Sequence, residues 1–253
     1  MITVISPAKK LDLSEETRFT QNYTLPLYQE QTRELVDIMR TKSVEEVALL
    51  MDLSPQLAQL NFQRYQDFAA TYGPREAKQA ILCFNGDVYQ SLEVDQYTEA
   101  DFAFAQENLR ILSGLFGVLR PLDLIQPYRL EMGTALKNPK GKDLYAFWGT
   151  TITQRLQEEI GEDGVLINLA SYEYFKAVQA KQLKGRVITP VFKEKRNGKL
   201  QSIFLYAKQA RGSMANFIIR EKITEPEALK GFMGMGYTFD ASVSKGDEWV
   251  FVR

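Results

Sequence analysis

Four short polar stretches each follow an apolar run, and they hold most of the residues in this chain that can do chemistry. Ser6-Pro7-Ala8-Lys9-Lys10-Leu11-Asp12 follows Ile2–Ile5, and Gly86-Asp87-Val88-Tyr89 follows residues 79–84. Ser113-Gly114-Leu115-Phe116-Gly117 and Asn168-Leu169-Ala170-Ser171-Tyr172-Glu173-Tyr174 follow the runs at 109–112 and 165–167. Asp87, Asp123, Glu131 and Glu173 suit general acid–base work or oxygen ligation, with Tyr89 and Tyr174 as positioning or proton-transfer partners. Lys9 and Arg129 suit an anion clamp. If residues 128–132 are extended, Arg129 and Glu131 share one face, as a structural ion pair or as part of that clamp. Each residue alone also reads as an ordinary turn or cap. Their repetition after successive apolar runs argues for one cleft. In a mostly parallel sheet these loops share the carboxyl edge, where open α/β sheets bind ligands. Lys9, Asp87, Tyr89, Asn168, Ser171 and Glu173 then converge, with Asp12 closing the first loop.

Residues 113–133 read SGLFGVLRPLDLIQPYRLEMG. Gly114 and Gly117 allow close backbone approach, so that Ser113 and its neighbours can aim amides at an anion, with Arg120 and Arg129 nearby. The pattern is similar to the hairpin of helix-hairpin-helix DNA-binding elements, although two residues rather than one separate the glycines. The alternative is a helix stop followed by Pro-stiffened turns. No Gly-Lys-Ser/Thr follows, so this is not a Walker loop.

Residues 176–222 hold twelve Lys or Arg and two acids, Glu194 and Glu221, so this stretch is net +10 in a chain of net −1. Such asymmetry points to an anionic partner, above all nucleic acid, or to a hairpin edge kept soluble by charge. Lys193, Lys195 and Lys199 fall at the tip of a predicted hairpin. Lys176 precedes it, and Lys208 and Arg211 begin the next helix. Phe192, Phe204 and Tyr206 interleave with these cations, either as stacking platforms for unpaired bases or as the buried face of the hairpin.

The chain has 253 residues, one cysteine and no histidine. The missing imidazole excludes Ser-His and Cys-His triads and His metal ligands. No metal site or cofactor is expected, although carboxylates can hold iron weakly. Cys83, inside an apolar run, reads as a buried strand residue. A single cysteine allows no internal disulfide, which agrees with a cytosolic protein. No apolar run reaches the roughly 20 residues of a membrane span.

The elements that must position these residues follow from periodicity and punctuation. Ile2–Ile5, residues 79–84, Leu109–Ser113 and Val165–Leu169 read as strands. Residues 27–70 are helical, with Ser43 as a cap and Ser54-Pro55 starting a second segment that runs towards Tyr72. Helices are also predicted over 98–107, 145–160 and 207–222. Asn197-Gly198 between runs 187–194 and 200–206 signals a β-hairpin. Short strands near 237–239 and 249–252 close the chain. The fold class is α/β: a single compact mixed-sheet domain over residues 1–253 with a peripheral basic hairpin and helix.

The motifs SPAKKLD at the amino terminus, GDVY at 86–89, LSGLFGVLRPLD at 112–123, QPYRLEMG at 126–133, NLASYEYFK at 168–176 and YAKQARG at 206–212 occur in this order. Together they closely resemble the YaaA family of bacterial peroxide-stress-resistance proteins, over essentially the whole chain. The resemblance implies a cytosolic protein that protects cells from hydrogen peroxide, with lower free iron and less Fenton damage to DNA. It also implies a positively charged cleft and a helix-hairpin-helix-like element that binds DNA, best matched locally by residues 112–123. On that reading DNA is bound through its backbone without sequence preference. The competing reading is an enzyme for a small anionic substrate such as a nucleotide or nucleobase. There Glu173 or Asp87 serves as acid or base, and Arg129 with Lys9 as clamp. The oligomeric state is left open.

Overall fold

Ile2–Ile5 offers almost no polar face, and all four residues are buried. A strand of this kind needs neighbours on both sides and cover on both faces. The computed structural model, which describes residues 1–14 and 20–253, gives it both. In chain order the elements begin with β1 (Ile2–Ile5), β2 (Lys10–Leu11), α1 (Gln29–Arg40), α2 (Val44–Met51), α3 (Pro55–Asp67), β3 (Lys78–Gln79), α4 (Ala80–Cys83) and β4 (Phe84–Asn85). There follow α5 (Asp87–Gln90), α6 (Glu99–Asn108), β5 (Leu109–Ser113), β6 (Gly117–Leu119), β7 (Leu124–Ile125), α7 (Leu144–Trp148), α8 (Thr151–Ile160) and β8 (Val165–Leu169). The chain closes with α9 (Tyr172–Phe175), β9 (Arg186–Arg196), β10 (Lys199–Gln201), α10 (Phe204–Arg220), β11 (Thr238–Phe239) and β12 (Glu248–Val252).

The main sheet is mixed, in the order β11-β12-β9-β8-β1-β5-β6, with β10 paired to the far end of β9. Strands β12, β9, β8, β1 and β5 run parallel. β6 and β11 add antiparallel edges. From β1 the strand order runs outward to β5 on one side and to β8 on the other. Such a reversal opens a crevice at the carboxyl ends of the strands. Helices α6, α8 and α10 pack on the sheet.

Local chemistry sets the helix ends. Ser43 accepts the Glu46 amide while Glu46 accepts the Ser43 amide, a capping box that starts α2. Ser54 caps α3, with Pro55 at its first position. Thr98 and Asp101 form a second box at α6. The Asn197-Gly198 turn has φ of 50° and 74°, which suits a two-residue hairpin.

Several predicted elements take another form. Residues 79–84 are not a strand. β3 pairs with β7 and β4 pairs with β2, and the helical turn α4 redirects the chain between these two ladders. An apolar run buried on every side carries no period to separate helix from strand. The helix expected over 145–160 breaks at Gly149, whose φ of +49° and ψ of −120° suit glycine. α3 ends at Asp67, where Arg40 donates to the carbonyls of Tyr65, Gln66 and Phe68. The second hairpin strand stops at Gln201, because Phe204 already starts α10. The long strand β9 lies inside the sheet, so the basic hairpin is peripheral only at its tip.

Residues 112–123 form no helix-hairpin-helix. They make the end of β5, a buried turn and β6. Gly114 is needed because an added Cβ would lie 2.3 Å from the Leu130 carbonyl oxygen. At Gly117, with φ +71°, it would lie 2.7 Å from the Trp148 ring. Trp148 donates its indole N–H to the Gly114 carbonyl at 2.9 Å. The glycines let the core close around a buried tryptophan.

Candidate functional site

Three loops are tied together at the carboxyl edge. The β2–β4 ladder pairs Lys10 with Asn85 and so brings residues 6–10 beside residues 85–89. Tyr89 donates to the Ser6 carbonyl at 3.0 Å. Ser6 Oγ accepts the Ser171 amide at 2.8 Å and donates to Ser171 Oγ at 3.2 Å. Residues 128–131 add one wall, and Phe204, Lys208 and Arg211 of α10 add another. The enclosed cleft has a volume of ≈ 730 Å³, the size of a small-ligand site.

Its charges fall into two groups. Glu131 binds Lys9 Nζ at 2.6 Å and Arg129 Nη2 at 3.3 Å, so the proposed Arg129–Lys9 clamp is already occupied by a carboxylate. Arg129 Nε is buried without a hydrogen-bond partner among the described residues. Glu173 accepts the Gly133 amide at 2.9 Å, and its carbonyl accepts the Tyr145 hydroxyl at 2.8 Å. On α10, Lys208 Nζ stands 4.2 Å from the Phe204 ring centroid. Among the described residues Arg211 forms no ion pair or hydrogen bond, and burial alone lowers its pKa. A guanidinium stays charged at neutral pH all the same. Five cations, Lys9, Lys10, Arg129, Lys208 and Arg211, face three carboxylates, Asp87, Glu131 and Glu173, so the lining is net positive.

The cleft tyrosines are donors rather than bases. Burial pushes Tyr89, Tyr128 and Tyr174 well above the ordinary phenol range. Tyr128 shares a 2.7 Å hydrogen bond with Ser113 Oγ. Neutral phenols can orient a ligand but do not take its proton near pH 7.

Of the residues singled out in the sequence, Lys9, Asp87, Tyr89, Arg129, Glu131, Ser171, Glu173, Tyr174, Lys208 and Arg211 line the cleft. The others do not. Asp12 accepts the Ser14 amide, which with the Lys78 ammonium at 3.6 Å holds its carboxyl below the usual range. Asn168 accepts the Ala170 amide at 3.1 Å and shapes the turn after β8. Arg120 forks onto buried Asp123 and donates to the Leu25 carbonyl. Ser113, Gly114 and Gly117 lie in the interior, where no duplex can reach their amides. Lys176 caps the Tyr145 ring outside the cleft. Lys195 and Lys199 are exposed on the hairpin and Lys193 is half-buried behind them.

Two cleft aromatics are exposed, Tyr172 at 84% and Phe204 at 73%, and the sequence reading gave Tyr172 no role. Phe204 was visible only as an aromatic among cations. Of its companions, Phe192 is in the core and Tyr206 lies under the Arg253 guanidinium. Placing the start of α10 at Phe204 would have put residues 204, 208 and 211 on one face.

The basic stretch is partly neutralised in space. Lys184 pairs with Glu162, Arg186 with Asp247 and Glu227, and Arg220 and Lys222 with Asp101. Among the described residues no three carboxylates or thiols gather as a metal ion would need. No helix among them is long and apolar enough to cross a membrane.

The sequence model of a family described as peroxide stress protein YaaA matches residues 1–243. A UPF0246 protein of Acaryochloris marina is 51% identical over 253 residues, covering all of both chains. UPF0246 proteins of Burkholderia lata and Burkholderia orbicola are 50% and 49% identical over 257 aligned positions, covering all of this chain and 98% of theirs.

Proposed function

The chain belongs to the peroxide stress protein YaaA family, and on that premise we propose that it is a cytosolic protein that binds DNA through the cationic cleft and helps limit free iron and Fenton damage. The observation that supports DNA binding most is Arg211: a guanidinium facing the cleft with no acid partner among the described residues. Arginine is suited to phosphate, and an acid-free cation gains most when an anion arrives. Lys208 stands one turn away on the same helix. The exposed cations of the hairpin tip, Lys195, Arg196 and Lys199, precede Phe204 at the cleft in the chain. Contacts of this type go to phosphates and carry no sequence information.

The expected result is that closed circular duplex DNA binds and that affinity falls at least about tenfold from about 50 to about 200 mM salt. Reversing the charge of Lys195 and Lys199 together weakens binding to all sequences alike. A binding constant indifferent to salt contradicts the reading.

A second reading, an enzyme for a small anionic substrate, is favoured by the cleft volume. In it Arg211 and Lys208 hold the anion in place of Arg129 and Lys9, which Glu131 occupies. Asp87, with no ion pair among the described residues, serves as the base.

A further inference from the structure

Phe204, Lys208 and Arg211 form one stripe of α10, spaced four and three residues apart, and all three line the cleft. The stripe is graded in depth. Phe204 is 73% exposed. Lys208 is half-buried beside its ring. Arg211 is half-buried too, where α10 has entered the molecule between buried Ala210 and Gly212, and burial alone lowers its pKa. At the next residue α10 meets α5 closely, since a Cβ added at Gly212 would lie 2.1 Å from the Val88 carbonyl oxygen. Tyr172, on the α9 wall, is 84% exposed. The cleft therefore has a polarity: aromatic faces outside and an acid-free cation inside.

That polarity selects among the parts of a nucleic acid. A nucleotide extruded base-first would put its base against Arg211 and leave its phosphates among the aromatics. A strand passing through would keep its diesters at the mouth. Only a chain end can enter phosphate-first.

We propose that the cleft binds a nucleotide phosphomonoester, with its phosphate inward on Arg211 and Lys208 and its base outward against Phe204 and Tyr172. The source is the phosphorylated end of a DNA strand, which rests on the DNA-binding reading; a free mononucleotide offers the same chemistry. A monoester carries close to two charges at neutral pH, with a second pKa of about 6. It presents three terminal oxygens to the guanidinium fork, whereas a diester within a strand has two and carries one charge. Glu131 does not compete for Arg211, because Lys9 and Arg129 hold it. Stacking of one base on an aromatic face contributes about 1–3 kcal/mol by alanine substitution.

The test uses the full chain and fluorescence anisotropy. One short single strand is made in three forms: with a 5′-phosphate, with a 3′-phosphate, and with hydroxyls at both ends. Closed circular DNA serves as the endless control, and thymidine monophosphate and thymidine as competitors. The expected result is about tenfold tighter binding of a phosphorylated strand than of the hydroxyl form, the gain of a charge-assisted contact. Thymidine monophosphate displaces it and thymidine does not. Arg211→Gln removes the preference for phosphate, while Phe204→Ala weakens phosphorylated strand and monophosphate alike. Since Phe204 is 73% exposed, its loss leaves the core intact and separates binding from folding. Equal affinity for phosphorylated and hydroxyl ends, with circular DNA still bound, overturns the phosphomonoester site alone. Monophosphate binding with no binding of any strand supports the site and removes DNA as its source.

Discussion

At the scale of single residues, Cys83 decides how this chain does not meet peroxide. The thiolate is the form that peroxide oxidises. Cys83 is fully buried, and burial pushes its thiol up to about 12. The native protein is therefore expected to resist sulfenic acid formation, and Cys83→Ala to leave DNA binding after peroxide exposure unchanged. Mass spectrometry after peroxide exposure checks this, and stoichiometric sulfenate at Cys83 in folded protein contradicts it. The burial of Cys83 was legible from its apolar neighbours. The freedom of Arg211 was not, because nothing in a sequence says which acid a given arginine will meet. Arg129 shows the converse: its pairing with Glu131 was one of two open readings, and the arrival of Lys9 on the same carboxylate came from the β2–β4 ladder.

Among elements, the joint between α6 and α10 is a titratable one. Burial raises the Asp101 carboxyl, but the Lys222 ammonium and the Thr98 amide and hydroxyl outweigh it and hold the group at about 2. Arg220 adds a contact at 3.5 Å. A carboxylate depressed in the folded state stabilises fully above its unfolded pKa of about 4 and loses that contribution as pH falls towards about 2. Asp101→Asn is therefore expected to melt at a lower temperature than wild type at pH 7, with the gap closing between about pH 4 and about pH 2. Thermal denaturation across that range checks it, and a gap independent of pH contradicts the assignment. The cap Ser43 and the helix start at Ser54 were legible because their chemistry is local. The turn at residues 80–83 and the break at Gly149 were not. One depends on two ladders formed with distant segments, the other on a single backbone conformation. The buried Gly114 turn was misread for the same reason: its glycines answer to Leu130 and Trp148, which lie far along the chain.

Over the whole molecule, the parallel strands and the polar loops after them were legible as pattern, and the strand reversal around β1 turns that pattern into a cleft. Charge was legible along the chain but not in space. Four of the twelve cations between residues 176 and 222 meet acids from other segments; of the other eight, Lys176 and Lys181 stand apart and six lie on the hairpin and α10. The account stands on DNA phosphates meeting α10 in this cleft. The most direct check is the slope of log affinity against log salt, on a short linear duplex with 5′-phosphate ends, for wild type and for the Lys208→Gln, Arg211→Gln double variant. Each lost phosphate contact is expected to flatten the slope by about 0.9, so the double variant should be shallower by roughly 2 and bind more weakly. A folded double variant with the wild-type slope and affinity would place DNA, if it binds, somewhere other than this cleft.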